Sequence, residues 1–134
     1  MFHQRGESPL HLNGLDQARR FFAGCLAETD PTKEHLWIAH VDGDARCLHL
    51  TRHDGDSDGA ELPIRQIVTD AAYHGSKGVI LAHNHPSGDP SPSATDKRIT
   101  RRLALVGEAM DLAVLDHLVI AGRVCRSMRQ MGLL

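Results

Sequence analysis

The residues best suited to chemistry crowd into HNHPSGDPSPSATD, residues 83–96, where His83, His85, Ser93 and Asp96 are set among three prolines and a glycine. Two histidines and a carboxylate make up a ligand set used for catalytic zinc, which keeps a fourth position for water. Zinc held this way lowers the pKa of water from about 16 toward roughly 7 and polarises a carbonyl as a Lewis acid. A base is still needed to take the proton. Glu61 is assigned that role because it stands where a helix begins next to the sheet. The prolines and glycine suit a rigid loop better than a regular element.

The elements around this stretch determine whether its side chains can converge. Val79-Ile80-Leu81-Ala82 is β-branched and continuously apolar, fit for a strand buried on both faces. If the strand continues through His83 and His85, their side chains point to one side and Asn84 to the other. Ile99, Leu103, Val106 and Met110 recur at helical spacing, so Asp96 opens the next helix and supplies the third ligand from the opposite wall. Ser93 and Asp96 also fit a helix cap, Ser93 as N-cap and Asp96 as the acid at N3, and the two roles are compatible.

Upstream, Leu15, Ala18, Phe22, Cys25 and Leu26 mark an amphipathic helix with Asn13 as its cap, broken by Thr29 to Thr32. Leu36 to Val41 and Arg46 to Leu50 form a hairpin about the turn Asp42-Gly43-Asp44. His53 to Gly59 is acidic and glycine-rich, and without the flanking helices and terminal glutamate of an EF-hand it reads as a solvated loop. Ile64, Ile67, Val68, Ala71 and Ala72 mark a second helix with Pro63 near its first turn, ending at His74-Gly75. Leu112 to Ala121 and Arg123 to Ser127 pair about Gly122, and Met128 to Leu134 closes the chain. The expected architecture is α/β, one mixed sheet flanked by helices, over residues 15–134, after a loosely held N-terminal segment, residues 1–14, whose His3 and His11 receive no function.

Composition bounds the function. The chain has 134 residues, 41% of them hydrophobic, enough for the core of one domain. A formal net charge of −2 gives no general attraction to nucleic acid or an anionic membrane. Cys25, Cys47 and Cys125 are widely spaced and odd in number, as expected of reduced thiols in a cytoplasmic protein. No apolar run has the length of a secretion signal or a membrane span.

Residues 83–96 fit HxHP, six residues, then SxxD, the signature of the JAMM (MPN+) zinc metalloprotease superfamily, and HNHPSGDPSPS followed by Asp resembles its RadC branch. Ala60-Glu61, the ILAHNHPSG run, LDHLVI at 115–120 and GLL at 132–134 are similar to that branch too. The resemblance implies the JAMM/MPN α/β fold, a zinc ion on His83, His85 and Asp96, Glu61 as general acid/base, and Ser93 as an oxyanion donor. Two features depart from it. No helix-hairpin-helix pattern precedes residue 34, and Pro63-Ile64 stands where the branch has His-Pro. Asp116 and His117 match a family pair and are read as groups that support the ligands or pack the strand. Cleavage of a peptide or isopeptide bond by metal-activated water is the leading expectation, with a peptide or protein substrate. The alternative is a non-catalytic interaction module in DNA repair or replication, for which the basic helix face from Lys97 to Arg102 is the first surface to test, although such a face reads more simply as a solvated one.

Overall fold

A computed structural model of the chain describes residues 11–55 and 62–134. Three helices and five strands follow one another as α1 (Leu15–Ala27), β1 (His35–Val41), β2 (Cys47–Asp54), α2 (Ile64–His74), β3 (Gly78–Asn84), α3 (Ala94–Ala109), β4 (Ala113–Ala121) and β5 (Val124–Ser127). The strands form one sheet in the order β2-β1-β3-β4-β5. Only β3 and β4 are parallel; the other neighbours are antiparallel. A parallel pair needs a crossover, and α3 provides it. The expected α/β domain with a mixed sheet flanked by helices is therefore the fold observed.

The strand period of two divides the core into two layers. Trp37, Ala39, Ile80, Ala82, Leu118 and Ile120 pack with Ala18 and Phe22 of α1 on one face. Ile38, Val79, Leu81 and Val114 pack with Ile67 and Ala71 of α2 and Leu103 of α3 on the other. β3 is buried at every position, as its unbroken apolar run requires. Its pairing with β4 is irregular between Val79 and Ile80, which lie opposite Val114 and Asp116. The extra residue, Leu115, is a bulge that turns His117, not Asp116, toward the α2/α3 face alongside Leu81 and His83.

Some boundaries differ from those expected. The N-cap of α1 is Gly14, with no side-chain cap bond, and Asn13 does not cap the helix. β2 runs on to Asp54, through residues expected in a loop, because Arg52, His53 and Asp54 pair with Trp37, Leu36 and His35. α3 stops at Ala109, leaving Met110 beyond the helix and half exposed. The buried stripe of α3 is instead Thr100, Leu103 and Gly107. Gly107 is required there: a Cβ at this position would run into the Leu112 carbonyl as the chain enters β4. His11 bridges to Arg46 and Leu12 is buried in the α1-side core, so the end of the N-terminal segment is tied down.

The three cysteines are unpaired, and burial pushes the Cys25 and Cys47 thiols up to about 11, keeping them protonated. Among the described residues no helix is long and apolar enough to cross a membrane.

Candidate metal centre

The site lies where β3 ends and α3 begins. His83 is the penultimate residue of β3, and the His85 backbone N–H still donates to the Ile120 carbonyl at 2.8 Å, so the extended course continues one residue past the strand. Both rings consequently project to the α3 side of the sheet, with their Nε2 atoms 2.8 Å apart. Asp96 comes from the other wall: its Oδ2 is 3.3 Å from His83 Nε2 and 3.2 Å from His85 Nε2. These are the three ligand residues expected, brought together.

A capping box fixes Asp96. The Asp96 N–H donates to Ser93 Oγ at 2.9 Å, and the Ser93 N–H donates back to Asp96 Oδ2 at 2.8 Å. The cap and the ligand set therefore share one carboxylate oxygen. Burial alone would raise the Asp96 carboxyl. The hydrogen bond and charge offered by His83, together with the Ser93 N–H and hydroxyl, outweigh that and hold it far below the usual carboxylate range. Asp96 is thus ionised, as a metal ligand must be.

The far sides of the two imidazoles are already engaged. His85 Nδ1 is 2.8 Å from the Asp89 carbonyl, which can only accept, so Nδ1 carries a proton and Nε2 is the nitrogen left to face a metal. His83 Nδ1 is 2.7 Å from Nε2 of His117, a ring that is 1% exposed. Burial, reinforced by His83, pushes His117 well below the ordinary imidazole range, so that ring is neutral. Two ring nitrogens and a carboxylate oxygen thus face one another at 2.8–3.3 Å. Ligand atoms about 2 Å from one tetrahedral ion stand about 3.3 Å apart, so this donor set fits such a cation.

A fourth group, a second carboxylate, completes the arrangement. The Glu34 carboxylate, with ligand atoms of His83 and His85, forms a set whose members all lie within 4.8 Å of one another. Glu34 precedes β1, and β1 runs antiparallel to β3 with Leu36 opposite His83, so the register carried outward sets Glu34 opposite His85. Asn84, 2% exposed, holds both neighbours of Glu34: its Oδ1 accepts the His35 N–H at 2.7 Å and its Nδ2 donates to the Lys33 carbonyl at 2.8 Å. On the β2 side, the Gly55 N–H donates to the Glu34 carbonyl at 3.0 Å. The His35 ring is pinned between Asp54 Oδ1 and the Asp30 carbonyl.

A cavity of about 30 Å³ touches Glu34, His83, Asp96 and His117 and is walled by Leu62 and Ile99. That is room for a species the size of water. Larger cavities, about 570 Å³ beneath α1 and about 560 Å³ beside β2, are lined by none of these four residues.

Glu61, assigned as the base from sequence, lies outside the described residues. Glu34 was not singled out there, because its relevance depends on β1 pairing with β3. A strand-opening acid whose strand returns against the histidine strand is the signal that would have identified it. Asp116 and His117 divide their roles. Asp116 accepts from the backbone N–H groups of His117 and Arg129 and from the Ser127 hydroxyl, organising the turn after β5. His117 supports His83.

A family model described as the RadC-like JAB domain matches residues 12–133. The UPF0758 protein YfjY of Escherichia coli strain K12 is 44% identical over 86 residues, covering 64% of this chain and 54% of that protein. The UPF0758 protein YkfG of the same strain is 37% identical over 103 residues, covering 76% of this chain and 65% of the relative. A UPF0758 protein of Pelodictyon phaeoclathratiforme is 35% identical over 129 residues, covering 92% of this chain and 57% of its own length. The chain thus spans between half and two thirds of the length of these relatives.

Proposed function

This chain belongs to the RadC-like JAB domain family, and from that premise we propose that it is a zinc-dependent metallohydrolase cleaving a peptide or isopeptide bond. The observation that carries the reading is the convergence of two ring nitrogens and an ionised carboxylate, with Glu34 close by and room for water beside them. A structural zinc site normally closes with four protein ligands, whereas three ligands and a nearby carboxylate suit a site that handles water.

His83, His85 and Asp96 would hold the ion. When bound, zinc supplies Lewis acidity, making water a usable nucleophile near neutral pH and polarising the scissile carbonyl. Glu34 takes the water's proton and returns it to the leaving amine, the role assigned to Glu61 from sequence. The Ser93 hydroxyl, which accepts from the Asp96 N–H, is the side-chain donor for the developing oxyanion in this reading. The substrate is a peptide or protein whose carbonyl reaches the end of β3.

The test has two stages. Protein purified without chelator should carry close to one equivalent of zinc, and His83→Ala should lose it; unchanged zinc in that variant would overturn the ligand assignment. A peptide library presented to the zinc-loaded protein should yield chelator-sensitive cleavage. Absence of cleavage across both peptide and isopeptide substrates would favour a binding role for the centre.

A further inference from the structure

We propose that His117 and Thr100 are positioning residues that hold His83 in the tautomer able to bind metal, through a buried chain of two hydrogen bonds running away from the centre. This rests on the metal-centre reading above. His83 Nδ1 is 2.7 Å from His117 Nε2, and His117 Nδ1 is 2.6 Å from the Thr100 hydroxyl. The three residues are 3%, 1% and 0% exposed, so these groups must satisfy one another.

A metal-binding histidine usually anchors its second nitrogen on a carboxylate or a backbone carbonyl. Such groups only accept, so one of them alone fixes the ring's proton, as the Asp89 carbonyl does for His85. His83 instead meets an imidazole, which can accept or donate at the facing nitrogen. If His117 carried its proton on Nε2, it would donate to His83 Nδ1 and force the His83 proton onto Nε2, where the metal must bind. The chain is productive in one direction only: His83 Nδ1–H donates to His117 Nε2, and His117 Nδ1–H donates to Thr100 Oγ1. Thr100 thus supplies, one ring away, the acceptor that this direction requires, its hydroxyl turned to receive the His117 Nδ1–H.

Three separate elements converge to build the chain. His83 is the penultimate residue of β3, His117 sits in β4, and Thr100 lies on the buried stripe of α3. Without the bulge at Leu115, Asp116 would face α3 in place of His117. The chain thus gives a specific reason for that irregularity and for a fully buried threonine on an otherwise apolar helix face.

The test measures zinc affinity by competition with a chromophoric chelator, alongside the melting temperature of the metal-free protein. Thr100→Val, nearly isosteric, should weaken zinc binding about 10-fold, and His117→Leu by up to about 100-fold, the range seen when such outer partners are removed. Thr100→Ser keeps the hydroxyl and should restore wild-type affinity. With cobalt substituted for zinc, Thr100→Val should alter the visible spectrum and Thr100→Ser should not. Wild-type affinity in Thr100→Val, or an equal loss in Thr100→Ser, would overturn the chain while leaving the centre intact if His83→Ala still abolishes binding. If His83→Ala binds as wild type does, the metal-centre reading itself fails and the chain with it. A Thr100→Val protein too unstable to assay is replaced by Thr100→Cys, whose thiol is a poor acceptor and which carries the same expectation.

Discussion

Asn84 accepts the backbone N–H of His35 at 2.7 Å across the β1–β3 pair, while its amide donates to the Lys33 carbonyl one residue beyond Glu34. A side chain turned away from the histidines on either side of it thereby fixes the peptide units flanking the proposed base. Asn84→Ala leaves the buried His35 N–H without a partner, at about 1–3 kcal/mol, and gives up the bond to the Lys33 carbonyl, at about 1 kcal/mol. The expected outcome is a loss of roughly 2–4 kcal/mol in urea unfolding, with zinc retained and turnover reduced. Turnover equal to wild type would show that Glu34 needs no such support.

Glu34 and Glu61 are separated by paired variants. Glu34→Gln should keep zinc and lose turnover by roughly 10²–10⁴-fold, the usual contribution of a general acid–base group. Glu61→Gln should leave turnover near wild type. The opposite pattern would return the base role to Glu61.

Asp96 Oδ2 serves both the cap and the ligand set, and the two uses can be pulled apart. Ser93→Ala removes the cap acceptor and should cost about 1 kcal/mol in stability while keeping zinc bound. Asp96→Ala should lose the cap and the metal together. Chelation of the wild-type protein should lower its melting temperature, since a ligand at 100 times its dissociation constant contributes about 2.7 kcal/mol. That shift should vanish in Asp96→Ala.

His40 sets a pH dependence remote from the centre. It is fully buried, with Nδ1 on the Ser76 hydroxyl and Nε2 without a partner among the described residues. Burial and neighbouring His49, opposed by Asp70 and joined by His74, hold it down to about 4. Its folded pKa lies below the unfolded value near 6.5, so between the two the unfolded chain binds more protons. Stability from this group is complete above about pH 6.5 and drains away as the pH falls toward 4, by up to about 3 kcal/mol. Urea unfolding at pH 7 and pH 4.5 checks this, and His40→Leu should remove its share of the slope.

Gly107→Ala tests the packing that closes α3 onto β4. Its Cβ would meet the Leu112 carbonyl, backbone that cannot swing aside, so a loss of at least about 2 kcal/mol in thermal or urea unfolding is expected.

What could be read from the sequence was what local spacing encodes. The buried run of β3, the His83/His85 alternation, the Ser93–Asp96 box and, in the stripe of α2, Ile64, Ile67 and Ala71 each involve residues a few positions apart and stand where they were expected, whereas Ala72 faces solvent. Glu34 and Thr100 were not legible as site residues, because nothing local distinguishes a strand-opening glutamate or a mid-helix threonine. Their significance comes from β1 returning against β3 and from a bulge in β4. Asn13 fits a cap by residue type, yet the chain enters α1 at Gly14, with Leu12 drawn into the core.

The three proposed ligands lie within residues 83–96, whereas Glu34 reaches them only because β1 docks on β3. Holding the ion and moving the proton therefore depend on different parts of the folded chain. Disturbance at the start of β1 would remove the proposed proton-transfer group and spare the proposed ligands, so zinc content by itself is no measure of turnover.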